Sequence, residues 1–172
     1  MVARQVLETC TAMQPNFEGS SMRQRQISEK RAAYLKNDYE RGFIKFCRFK
    51  AAHAQWGMFR SNLKIEEDHR QQDGFIHAGV MATMADHTAG YSAFTTVPEN
   101  MQILTIEFKI NFLRPAFGDE LVCNSRVIRE GRQIIVSESE VLDVRDGDQV
   151  SVAKAMVTLM AVPREKLKRQ KM

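Results

Sequence analysis

The chain is poor in the residues that punctuate or cross-link a fold. It has three cysteines, four prolines, nine glycines and one tryptophan in 172 residues. Cys10, Cys47 and Cys123 are odd in number and far apart. They form no disulfide framework and offer no metal-ligand spacing. Long hydrophobic runs are missing too. The longest charge-free stretches, Gly74–Ala85 and His87–Pro98, span 12 residues each, short of the roughly 18 that suggest a membrane span. The opening residues Met1-Val2-Ala3-Arg4-Gln5-Val6-Leu7-Glu8 carry no apolar run behind their charge, so no signal peptide is expected. The expectation is a reduced, cytoplasmic location without a membrane partner.

What is present suits a globular protein. Apolar residues make up 44% and charged residues 27%, which excludes disorder, collagen and coiled coil. The length fits one domain, or one domain plus a modest extension. The net charge of +4 is uneven. Residues 1–50 hold ten Lys/Arg against five Asp/Glu, and residues 163–172 hold five against one. The middle of the chain is therefore net negative, and the basic character belongs to the ends. No nucleic-acid partner is expected from it.

The first forty or so residues read as helical. Val2–Met13 forms one short helix ending near Pro15. A second runs from an N-cap at Ser28 to Gly42 just past its end, with Ala32, Leu35, Tyr39 and Phe43 as an amphipathic stripe. It is expected to pack on the outside of something else, or on a second subunit. Phe46–Ala54 and Trp56–Ile65 read as two strands, and His77–Thr95 as a Pro-free helix. After Pro98, Leu104, Ile106, Phe108, Ile110 and Phe112 alternate with Thr105, Glu107, Lys109 and Asn111, a strong strand signal. Three more strands follow: Leu121–Arg129, Gln133–Val144 and Gln149–Val162, with Ala153, Ala155, Val157, Leu159 and Ala161 sharing a face. The order β-β-α-β-β-β-β predicts an α+β fold, an antiparallel sheet over one long helix. The expected division is a helical extension over 1–45, a domain over 46–163 and a loose basic tail over 164–172.

On a helical wheel, Val80, Met84, Tyr91 and Phe94 gather on one side, while Ala82, Asp86, Ala89 and Ala93 share another line. A helix apolar all round is a buried one. Asp86 is the only acidic residue between Gly74 and Pro98. A carboxylate among alanines is costly unless it is paired or solvated by a pocket. It is either a functional group or a solvent-facing or capping Asp, and the alanine line favours the former. At the helix start, Gly74-Phe75-Ile76-His77-Ala78-Gly79 brings a turn to amides that lack intrahelical partners and can hold an oxyanion. His77 either holds this loop or joins the chemistry. Asp86 lies nine residues beyond His77, about 13 Å along the axis at ~1.5 Å per residue. One helix cannot bring both features to one carbon, whereas two antiparallel helices of a twofold dimer can.

The run Gly74-Phe75-Ile76-His77-Ala78-Gly79-Val80-Met81-Ala82-Thr83-Met84-Ala85-Asp86 resembles the motif of hotdog-fold acyl-CoA thioesterases, in which an Asp follows the His by nine residues. The phenylacetate-degradation branch is nearest. Leu104–Pro115, Gly131-Arg132 and the Ala-rich final strand agree with it. The resemblance covers about residues 47–162. It implies a hotdog sheet wrapped around the helix, dimers joined edge to edge, and pairs of dimers in some members. It also implies hydrolysis of an acyl-CoA thioester. The Ala78 amide, with Gly79, would polarise the carbonyl, and Asp86 from the partner chain would act as base for water or attack directly. Thr105 would place the water. Two departures stand out: Ala78 occupies the first of two usual glycines, and Gln71 stands where an Asn is common. No metal and no cofactor are implied, coenzyme A being part of the substrate. Its phosphates call for cations, and Arg114, Arg129 and Arg132, in turns or at strand ends, are candidates or ordinary solvated arginines. A hotdog 3-hydroxyacyl-thioester dehydratase and a non-catalytic acyl-CoA binder or sensor remain the alternatives.

Overall fold

The alternation after Pro98 becomes four long strands in a computed structural model that describes residues 25–167. In chain order the elements are α1 (Glu29–Tyr39), α2 (Phe43–Cys47), β1 (Lys50–Gln55), β2 (Met58–Lys64), α3 (Ala78–Phe94), β3 (Met101–Phe112), β4 (Glu120–Glu130), β5 (Ile134–Arg145) and β6 (Asp148–Pro163). The six strands form one antiparallel sheet in the order β1-β2-β4-β5-β6-β3. Every strand pairing is antiparallel, and α3 packs against β2, β3, β4, β5 and β6. This is the α+β hotdog arrangement expected from the sequence.

The central helix is buried because neither side of it can face water. Met81, Met84, Ala85, Ala89, Tyr91, Ala93 and Phe94 are all buried. The inner face of the sheet meets it with small polar residues. Ser139 Oγ donates to the Ala85 carbonyl at 2.8 Å, Ser92 Oγ to Ser137 Oγ at 3.0 Å, and Thr88 Oγ1 lies 2.8 Å from Ser61 Oγ. Small side chains let helix and sheet approach, and these bonds remove the cost of burying hydroxyls. Helix and sheet are thereby locked in one register, which sets where Asp86 emerges. The expected inward face of β6 is present: Ala153, Ala155, Val157, Leu159 and Ala161 are buried.

Several boundaries differ from the sequence reading. Ser28 is the N-cap of α1, its hydroxyl accepting from Arg31 N–H. That helix ends at Tyr39, however, and Gly42, at φ 59°, starts the separate short helix α2. The amphipathic stripe did not show this break, because Phe43 falls at the right spacing to continue it. Phe46 lies in α2, exposed, and the first strand begins only at Lys50. The α1 helix packs on its own domain. Tyr39 is fully buried, its hydroxyl 3.1 Å from Thr88 Oγ1 and its ring stacked on Phe59. The start of the basic tail is held as well, Arg164 Nε donating to the Met101 carbonyl at 3.0 Å within the turn Arg164–Leu167. The Val2–Met13 helix, Cys10 and the tail beyond 167 lie outside the described residues.

The strict alternation of β3 breaks at one position. Thr105 pairs with Leu159 and Glu107 with Thr158, leaving Ile106 as an extra residue. A bulge of this kind switches the faces of the strand. Thr105 and Phe108 consequently point to the same, helix-facing side, opposite the buried Leu159 and Val157. The sequence placed them on opposite faces.

Candidate active site

The helix start is held from three sides. Gly74, at φ 80°, turns the chain. Ile76 N–H donates to the Ala116 carbonyl at 2.8 Å and His77 N–H to the His69 carbonyl at 2.9 Å. Arg70 reaches the carbonyls of Gly74, Phe117 and Gly118. His77 is then the N-cap of α3: its Nδ1 accepts from Gly79 N–H at 2.8 Å. An accepting Nδ1 makes the ring the neutral tautomer with its proton on Nε2. Of the two amides proposed for the oxyanion, Gly79's is thus occupied by the cap. The Ala78 amide, at the exposed first position, has no acceptor among the described residues. The glycine at 79 has a steric reason, since a Cβ there would lie 2.9 Å from His77 Nδ1.

Asp86 stands two turns further along, half-buried. Thr105 Oγ1 donates to its Oδ1 at 2.8 Å, across the bulge of β3. Burial pushes the Asp86 pKa up from its ordinary value, and the Thr105 bond pulls it partly back. The carboxylate opens into a cavity of about 520 Å³ lined by Arg41, Phe43, Ile44, Gly79, Ala82, Thr83, His87 and Phe108. The cavity is apolar on most sides and holds one carboxylate, one guanidinium and one imidazole. His87 Nε2–H donates to the Tyr39 carbonyl at 3.2 Å, and burial lowers its pKa, so the ring is neutral at pH 7.

The sequence-predicted residues divide into two groups. Asp86, Gly79 and Thr105 come together, with Ala78 and His77 at the near end of the same helix. Gln71 closes the preceding turn through its backbone, its N–H donating to the Phe75 carbonyl, and does not line the cavity. The three arginines do not gather. Arg114 follows β3 near the helix start and donates to the Ser151 carbonyl at 2.9 Å. Arg132 lies beside Thr96 and Val97 at the far end of α3, and Arg129 is at the same end of β4. Successive turns of an antiparallel sheet fall at alternate ends, which separates them within one protomer. The hollow with the larger volume, about 600 Å³, opens on the outer face of the sheet and contains none of these residues. Its lining is crossed by the ion pairs Arg126–Glu138 and Lys154–Glu140, a solvated strand face.

Sequence reasoning missed Arg41, Phe43 and His87. Arg41 and Phe43 fall in the expected helical extension over 1–45, and no spacing in a chain reveals that a segment folds back over a helix forty residues on. His87 follows Asp86 directly but lies about 100° round the helix from it, off the alanine line.

Comparisons with known proteins agree with this fold. A family model described as the thioesterase superfamily matches residues 73–150. A protein of Saccharolobus solfataricus, provisionally named an esterase, is 30% identical over 113 residues, 66% of this chain and 78% of that one. Human acyl-coenzyme A thioesterase 13 is 22% identical over 90 residues, 52% of this chain and 64% of that one. Among solved structures, a thioesterase family protein from Silicibacter pomeroyi superposes with a TM-score of 0.73 at 30% identity, covering 76% of this chain and 98% of that one. The E. coli PaaI protein from the phenylacetic acid degradation operon superposes at 0.65 with 21% identity, covering 76% of this chain and 93% of that one, a likeness of fold.

Proposed function

The chain belongs to the thioesterase superfamily, and from that membership we propose that it hydrolyses an acyl-CoA thioester to free acid and CoA at a site shared by two protomers. The observation that carries the proposal is Asp86: a half-buried carboxylate, held by Thr105 on one oxygen, facing an apolar cavity. Partial desolvation raises its basicity, which suits a general base for water near neutral pH. The helix amide at Ala78, without an acceptor among the described residues, matches what a developing oxyanion needs. The two lie too far apart on one helix to meet, so Ala78 N–H of the partner subunit faces the carbonyl that Asp86 serves.

In the step itself, water oxygen bonds to the carbonyl carbon while Asp86 takes its proton. The carbonyl oxygen gathers charge against the helix start. The carbon–sulfur bond then breaks, the acid forms, and the thiolate of CoA takes up the proton. Thr105 spends its own proton on Asp86, and its lone pairs remain to receive a hydrogen of the water. β3 is an edge strand whose backbone can join a second sheet edge to edge, with the exposed apolar side chains of Leu104, Ile106 and Phe112 flanking that edge on its two faces.

A thiol-release assay across short, long and aromatic acyl-CoAs tests the reading. Asp86→Asn should lower turnover by about a hundredfold or more while the fold is kept. Wild-type turnover in the Asn variant would remove Asp86 from the mechanism. Enoyl product from a 3-hydroxyacyl-CoA without free thiol would indicate the dehydratase reading instead, and tight acyl-CoA binding without release the binder.

A further inference from the structure

The Asp86 cavity carries one cation among the described residues, and it comes from the N-terminal segment. Arg41 stands between α1 and α2, where Gly42 turns the chain, and lines the cavity together with Phe43 and Ile44. Its side chain is 79% exposed and meets Asp38 Oδ1 at 3.3 Å. Such an exposed pair contributes little and exchanges readily with an incoming anion. Asp38 is secured without Arg41, because its other oxygen accepts from the Tyr91 hydroxyl at 2.9 Å. Arg41 can therefore turn to a ligand while Asp38 stays in place. The remaining walls are apolar or small, and His87 is neutral. Arg114, by contrast, is already bonded to a main-chain carbonyl, and Arg129 and Arg132 lie at the other end of the helix.

We propose that Arg41 is the receptor for an anionic group of the thioester substrate, at the rim of the Asp86 cavity. The proposal rests on the hydrolase reading. A guanidinium binds phosphate and carboxylate by the same forked geometry. The anion therefore has two sources, a phosphate of CoA or a terminal carboxylate on the acyl chain. The N-terminal segment is then part of the binding site and sets which thioesters are accepted.

The test compares the full-length wild type with Arg41→Ala and Arg41→Lys on three substrates: valeryl-CoA, valeryl-pantetheine and glutaryl-CoA. Valeryl-CoA over valeryl-pantetheine reports the phosphates, and glutaryl-CoA over valeryl-CoA reports the acyl carboxylate. In Arg41→Ala one of these two ratios of kcat/KM should fall about tenfold, the worth of a charge-assisted hydrogen bond, and Arg41→Lys should recover part of it. Both ratios within about twofold of wild type would overturn the proposal. If the wild type releases no thiol from any substrate, the hydrolase reading fails separately. The same two ratios, read as dissociation constants by calorimetry, still decide the role of Arg41.

Discussion

Asp86 and Thr105 illustrate how one hydrogen bond tunes a carboxylate, here the proposed base. Burial raises the Asp86 pKa, and the Thr105 hydroxyl stabilises the charged form and lowers it again. A base must be ionised to act, so activity falls as pH drops through this pKa. Thr105→Val removes the lowering contribution and keeps the shape of the side chain. The acid limb of the kcat profile should move to higher pH, and a full pH–rate profile of the variant measures it. An acid limb that stayed in place would mean that the Thr105 bond is absent in the working enzyme.

At the scale of elements, the turn between β3 and β4 matters more to the site than its distance from Asp86 suggests. Asp143 on β5 is fully buried and accepts from the amides of Phe117 and Gly118 and from Arg145 Nε at 2.7 Å. It fixes the loop whose Ala116 carbonyl receives Ile76 N–H, one residue before the cap of α3. Gly118 is required there, as a Cβ would come within 2.1 Å of the Val144 carbonyl oxygen. Asp143→Ala leaves two amides and the Nε–H of the partly buried Arg145 guanidinium without their acceptor, while its Nη2 keeps the Pro115 carbonyl. The expected loss is about 3–5 kcal/mol, read as a lower urea midpoint. A change within experimental error would show that water replaces the carboxylate.

For the whole molecule, the question is whether two chains share each site. Ala78→Pro tests it with little harm to the helix. Proline at the first helical position removes the N–H of interest and keeps the backbone angles. His77, at φ −63° and ψ 134°, already has the conformation a residue before proline prefers. Asp86→Asn and Ala78→Pro should each be inactive alone. Unfolded together and refolded as a mixture, they should regain about a quarter of wild-type activity, because each mixed dimer holds one intact pair and half of random dimers are mixed. A mixture that stayed inactive would place both groups of each site in one protomer.

The order of the strands and α3, the buried character of that helix and the singular position of its one carboxylate were legible in the chain. Each follows from local causes: a period of two or of 3.6, a capping residue at Ser28, a charge out of keeping with its neighbours. The partner of Asp86 was not legible as a contact. Thr105 reaches it because Ile106 is an extra residue in β3, and a bulge leaves no mark in an alternation that looks perfect. The arginine at the cavity was equally hidden. Arg114, Arg129 and Arg132 lie in turns that the antiparallel order sends to opposite ends, while Arg41 arrives from a segment that seemed separate. Periodicity is a property of neighbours along the chain, and it says which face a residue belongs to. Which faces meet depends on packing between residues far apart in the chain, 19 positions for Asp86 and Thr105 and about forty for Arg41 and the helix, and that is where the cavity is made.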